Sequence, residues 1–258
     1  MEVNINADLG ESFGPWKMGM DEALLKIVQS ANVACGFHAS DPSHMRTTVE
    51  LCQQNGVSIG AHPGFPDLQG FGRRKMDLSA QEIFDLVVYQ IGALEAVCSS
   101  QNAQVTHCKA HGALSNMAMV NSEYASAIAK AVKAVNSELV LLAVAGTELS
   151  KAGKALGLKV AEEIFADRNY TDEGTLVDRR SPNAMVKGGE ASLEHVKRMI
   201  NEQALVSVSG KRIPTSIHSI CVHGDQPTAV EAASHVANGL KKDGITLKSI
   251  PELHQFSN

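Results

Sequence analysis

Apolar residues fall in short runs along this chain, and the runs alternate between two periods. Alternating or continuous apolar character predicts strands at 3–7, 32–35, 57–61, 104–108, 139–143, 159–161 and 219–222. Between them, apolar positions three and four apart predict helices over 21–30, 42–55, 80–99, 124–135, 148–155, 192–203 and 227–240. Two helix starts are signalled directly. Asp41-Pro42 reads as a cap followed by a first-turn proline, and Ser79 with Glu82 as a capping box. Strands alternating with helices of this length imply βαβ units and a parallel sheet. No linker, repeat or low-complexity stretch interrupts them, so the expectation is one α/β domain over 1–258, a barrel of about seven strands. The pattern fails from 166 to 189. That polar stretch carries Asp167, Arg168, Asp172, Asp178, Arg179 and Arg180, and loops of such length are usually functional or disordered.

Five polar clusters stand where apolar runs end: Asn6-Ala7-Asp8-Leu9-Gly10-Glu11, Cys35-Gly36-Phe37-His38, Gly60-Ala61-His62-Pro63, Lys109-Ala110-His111-Gly112 and Val222-His223-Gly224-Asp225. In a parallel barrel the strand C-termini share one face, and catalytic groups collect there from distant positions. A lone histidine is more often a core or surface residue than a catalyst; five clusters in register with strand ends favour function. Asp8, His38 and His62, on strands about 5 Å apart, suit a divalent-metal site or a carboxylate orienting an acid–base histidine. Lys109 with His111 suits carboxylate or oxyanion recognition. Asp225 serves equally well as a helix cap.

Composition narrows the classes. The 44% hydrophobic content and 258 residues allow a substantial core, and a net charge of −5 offers no broad attraction to nucleic acid or anionic lipid. No run approaches 18 consecutive apolar residues, and the start lacks a basic and apolar leader, so a cytoplasmic protein without a membrane span is expected. Five unpaired-looking cysteines argue against disulfides and zinc knuckles; Cys35 and Cys108 read first as small strand hydrophobes and only second as nucleophiles. Gly70-Phe71-Gly72 lacks the third glycine of a dinucleotide fingerprint, and 146–154 spaces its glycines wrongly for a phosphate loop.

With these residues assembled, the chain resembles the LamB/YcsF family, which supplies the A subunit of bacterial 5-oxoprolinase. The resemblance runs nearly end to end, through the motifs at 6–14, 32–42, 60–74, 109–114, 163–168 and 220–225. Ala7, Ala110 and Ser115 stand where the family pattern has cysteine, proline and tyrosine. The first argues against a nucleophile at that position; the others leave open a shifted substrate preference. The resemblance implies a distorted (β/α) barrel akin to the glycoside hydrolase/deacetylase superfamily. It also implies ATP-dependent hydrolysis of 5-oxoproline to L-glutamate with partner subunits B and C, which would bind most of the ATP and Mg. In that scheme Asp8, Glu11, Lys109 and His111 are catalytic, Asp8 as base or metal ligand and Lys109 as holder of the substrate carboxylate. His38, His62, Arg73, Arg74, Asp167, Arg168, His223 and Asp225 bind substrate, the arginines meeting its phosphoryl group. A divalent metal on Asp8, His38 and His62, and association with further copies of the chain, are left open. Two rivals stand beside this expectation: a stand-alone metal-dependent deacetylase or amidase, and a lactam-binding subunit without chemistry of its own.

Overall fold

The computed structural model describes residues 1–223 and 227–257. Asp225 therefore lies outside the described residues. In chain order the elements begin β1 (Glu2–Leu9), α1 (Asp21–Leu24), β2 (Ser30–Ala34), α2 (Pro42–Gln54), β3 (Ser58–His62) and α3 (Ala80–Ser100). Next come β4 (Val105–Lys109), α4 (Gly112–Ala118), α5 (Ser122–Val135), β5 (Val140–Val144), α6 (Glu148–Ala155) and β6 (Val160–Phe165). The last are α7 (Gly189–Glu202), β7 (Ala204–Val206), β8 (Arg212–Pro214), β9 (Ser219–Val222), α8 (Pro227–Lys242) and β10 (Thr246–Leu247). Among the described residues seven parallel strands, β1 to β6 and β9, close a barrel, with β9 returning to pair with β1. The expected α/β barrel is thus present, with helices around it.

The strand pleat divides the barrel into two environments. Val3, Ile5, Ala7 and Leu9 of β1 face the helices and join the main apolar core. The alternate residues face inward, and they are polar. Asn4 bonds Ser30, Asn6 bonds Ser219, and Asn32 bonds Asn6, so the interior is a hydrogen-bonded stack where such barrels usually pack branched aliphatic side chains. Among these buried polar groups each pairing also fixes strand register. At the other end Val140, Leu142 and Ala161 pack on Ile250, Leu253 and Phe256 of the C-terminal segment, which plugs the floor of the barrel. Gly60 leaves room inside for His107: a Cβ there would stand 2.2 Å from the imidazole.

Several boundaries differ from the periodic reading. The helix expected over 21–30 is a single turn, because Ser30 is drawn into β2, paired with Asn6 and bonded through its hydroxyl to Ser58. Strand β6 runs on to Phe165, past the consecutive acidic residues that end the apolar run; Glu162 and Glu163 each find buried partners on opposite faces. The 166–188 stretch is ordered, pinned by fully buried Tyr170, whose hydroxyl accepts from the Phe165 amide. α3 is the one helix among the described residues long and apolar enough to cross a membrane by length and composition, although it contains no long run of consecutive apolar residues. Its apolar positions Ile83, Val87, Ile91 and Leu94 are buried against the barrel, and Gln90 bonds the Gly64 backbone both ways, so packing accounts for them.

Candidate functional site

Strand ends β1 to β4, β6 and β9 bring most of the expected residues to one mouth. Two clusters form there, sharing Asp8.

The first is built around a buried ammonium. Lys109 Nζ stands 3.0 Å from Asp8 Oδ1, 3.1 Å from Glu163 Oε1, 3.2 Å from Asn6 Oδ1 and 3.1 Å from Cys221 Sγ. Its three protons are thereby committed to four acceptors. Burial alone would neutralise it, but Asp8, Cys221 and Glu163 hold the ammonium well above its usual range. Burial would likewise protonate Asp8; His62 and Lys109 overcome this and keep the carboxyl well below its usual range. Asn32 Nδ2 adds a 2.8 Å bond to the same oxygen. Glu163, deeper, is raised by burial, with Lys109 opposing. His223 is coupled to this cluster by position: its ring nitrogen, Cys221 Sγ and an Asp8 oxygen lie within 4.8 Å of one another. Its Nδ1 donates to Asp167 Oδ2 at 2.8 Å, and Asp167 outweighs burial to raise the imidazole. Asp8 and His223 keep side-chain exposures of 14% and 15%, against 6% for Lys109 and 1% for Glu163. The first two can meet a substrate; the latter two can only tune them.

The second cluster is imidazole-rich. His62 Nε2 faces Asp8 Oδ2 at 3.3 Å and His111 Nδ1 at 3.0 Å. His38 stacks on His111 with centroids 3.6 Å apart, and its Nε2 lies 3.1 Å from Glu11 Oε1. Burial holds His38 well below its usual range and His111 at about 3, so both are neutral at pH 7. The 63–76 loop folds over these rings. Phe71 takes a left-handed backbone (φ 55°) and presents its carbonyl to His111, a strained conformation of the kind that gathers at functional sites. Gly72 (φ 63°) follows, where a Cβ would press on His38 at 2.7 Å and His111 at 2.8 Å. Glu11, His38, His62 and His111 have a donor set that could hold a metal ion. The expected trio of Asp8, His38 and His62 is thus divided. Asp8 touches His62 but groups with Cys221 and His223.

The arginines separate. Arg73 lies over the Phe71 ring at 4.9 Å, and its charge acts on His38, His111 and Arg168. Arg168 is buried, its guanidinium lowered by burial to about 10; Nη2 donates to the Val177 carbonyl, and Nε has no partner. Arg74 is turned onto Asp67, which also caps Gly70, so it staples the loop and does not join the cluster. Beside Asp167 and His223 is a cavity of about 30 Å³, room for one water, and Asp167 Oδ1 is buried there without a partner. Glu163, Cys221, Asn6 and Asn32 are site residues that lie inside the sequence motifs but receive no role from them. For Glu163 the available signal is its place at the head of the 163–168 motif.

A family model described as the LamB/YcsF family matches residues 3–255. The chain belongs to the LamB/YcsF family. It is 50% identical over 253 residues to a 5-oxoprolinase A subunit of Azoarcus sp. (strain BH72), covering 98% of this chain and 99% of that one. A 5-oxoprolinase A subunit of Clostridium beijerinckii is 46% identical over 253 residues, with the same coverage of each chain. Among solved structures, a lactam utilization protein from Thermus thermophilus is 38% identical with a TM-score of 0.90, covering 97% of this chain and 100% of that one. This LamB/YcsF member shares its length with all three proteins and its fold with the Thermus thermophilus one.

Proposed function

We propose that this chain is the A subunit of an ATP-dependent 5-oxoprolinase and opens the lactam of 5-oxoproline to L-glutamate with partner subunits B and C. One observation carries the reading: at the barrel mouth an ionised carboxylate, Asp8, lies between an ammonium and an imidazole and stays partly open to solvent. Full-length identity to 5-oxoprolinase A subunits supplies the substrate class.

A five-membered lactam is a stable amide, so its carbonyl needs activation before water attacks. ATP with Mg supplies this by phosphorylating the lactam oxygen. The 146–154 loop does not fit the nucleotide: there the Gly146 amide donates to the Glu162 carboxylate, where a phosphate oxygen would have to sit. In this reading ATP belongs to the partner subunits. In the barrel, Asp8 takes a proton from water as it adds to the activated carbon. Expelling phosphate from that adduct would only regenerate the lactam, so the productive step is cleavage of the carbon–nitrogen bond. The departing nitrogen needs a proton, and His223, whose imidazole Asp167 raises, is the acid. A second water then hydrolyses the resulting acyl phosphate to glutamate and inorganic phosphate. Lys109, its protons already engaged, keeps Asp8 ionised rather than gripping the substrate carboxylate. Arg73 and Arg168 are assigned to meet the carboxylate or phosphoryl group. The five cysteines, all buried and free, suit a reducing cytoplasm.

The decisive assay measures glutamate from 5-oxoproline with the chain, partners B and C, and ATP, omitting each in turn. Turnover requires all of them, and Asp8→Asn lowers it by about 10²–10⁴-fold. Full turnover by Asp8→Asn removes the base assignment. Amide hydrolysis without ATP or partners would favour the stand-alone amidase instead.

A further inference from the structure

The imidazole cluster has an unusual arrangement of protons. His62 Nδ1 stands 2.7 Å from the Lys109 carbonyl, and His111 Nε2 stands 2.8 Å from the Phe71 carbonyl. A carbonyl only accepts, so each ring carries a proton on that outer nitrogen. The two inner nitrogens, His62 Nε2 and His111 Nδ1, then point lone pairs at each other across 3.0 Å. That contact is repulsive unless positive charge lies between them. Glu11 Oε1 approaches the same place, 3.6 Å from His111 Nδ1, with His38 Nε2 3.1 Å beyond it.

We propose that Glu11, His38, His62 and His111 bind one divalent transition metal of the zinc class. The four donor atoms lie within 4.8 Å of one another. Zinc–nitrogen bonds of about 2.0–2.1 Å in a tetrahedron place two ligand nitrogens about 3.3 Å apart, so the pair need open by only a few tenths of an ångström. Imidazoles with a single carboxylate suit zinc, iron, cobalt or nickel, and disfavour calcium and magnesium, which take oxygen ligands. The outer hydrogen bonds match as well: a ligating histidine characteristically donates its other N–H to a carbonyl or carboxylate, which fixes the tautomer. A proton between the rings is the competing occupant. It satisfies two donors where an ion satisfies four. His38 ranks last among the ligands, because its Nδ1 is buried without a partner to orient it. Asp8, 3.3 Å from His62 Nε2, adjoins the ion, which would lower the pKa of a bound water beside the proposed base. The site does not depend on the lactam reading, whose steps use Asp8 and His223.

Metal content of the purified chain, measured by mass spectrometry before and after dialysis against micromolar zinc, tests this directly. One zinc per chain is expected, undisturbed by excess magnesium, and after its removal with a chelator cobalt takes its place with visible d–d absorption. His111→Asn should weaken zinc binding by at least about 100-fold, Glu11→Gln by about 10–100-fold and His38→Asn least. Circular dichroism confirms folding of each variant, and Glu11→Gln, at the more open edge, provides the readout if a histidine variant fails to fold. No zinc retained by the wild-type chain, or retention unchanged in Glu11→Gln and His111→Asn, overturns the site. Glutamate formation is assayed separately, so a chain that turns over 5-oxoproline without zinc sinks only the metal, and one that binds zinc without turnover sinks only the lactam reading.

Discussion

Glu162 and Glu163 are neighbours on β6, and each is 1% exposed. Residue type and burial treat them alike; the pleat sends them to opposite faces. Glu162 faces the helices, where Ser150, Lys154 and the Gly146 amide close on it and fasten α6 to the barrel. Glu163 faces inward to Lys109 and Asn6. Their lysines differ most. Lys154 is 57% exposed and solvated at its free end, whereas Lys109 is 6% exposed and has only protein around its charge. One carboxylate is a fastening between elements. The other belongs to the charge balance of the reacting cluster. The face that a buried carboxylate occupies, and the exposure of its partner, decide which role it takes.

The largest separation between the two faces should come from their lysines. Lys109→Met removes the counter-charge of Glu163 and leaves Asp8 to its neighbouring histidines, and should cost about 3–5 kcal/mol in denaturant unfolding. Lys154→Met removes a largely solvated partner and should cost about 0–1 kcal/mol. Equal losses would erase the distinction.

The carboxylates themselves sharpen it by about a factor of ten. In the glutamate assay Glu163→Gln should lower kcat about tenfold, worth about 1.4 kcal/mol, with KM little changed, because Lys109 is held differently but no substrate contact is lost. Glu162→Gln should leave kcat intact and lower stability by about 1–3 kcal/mol through hydrogen bonds on the outer face. A kcat loss in Glu162→Gln as deep as in Glu163→Gln would show that the faces are not functionally separate.

The smallest effect is one of pH. Burial raises Glu163 in the folded chain, so the unfolded chain releases that proton first as pH rises. Its contribution to stability is therefore greatest below the usual glutamate range and declines as pH climbs towards the folded value. The stability cost of Glu163→Gln should shrink over that window. Unfolding curves at stepped pH check it, and a cost that grows with pH would mean Lys109 has won over burial.

Much of this is legible in one dimension. The alternation of strand and helix periods marks all seven barrel strands, although it stops β6 short at the acidic pair. The five polar clusters mark the mouth, and Asp8, His38, His62, Lys109 and His111 do converge there. The clusters do not say which of two adjacent arginines turns inward. Arg74 is held by Asp67 while Arg73 rests on Phe71, a choice made by the path of the 63–76 loop. Nor do they pair His223 with Asp167 across 56 positions.

Sequence by itself determined the local periods, the caps, the family and the chemical types available at each strand end, because these depend on near neighbours and on composition. Tertiary structure alone decided which donors share a point. Closure of β9 onto β1 brings Cys221 to Lys109, and loop 63–76 brings the Phe71 carbonyl to His111. Those contacts join residues far apart in the chain, and inside the barrel they set the charges: mutual pairing keeps Asp8 and Lys109 ionised against desolvation, while desolvation leaves His38 and His111 neutral.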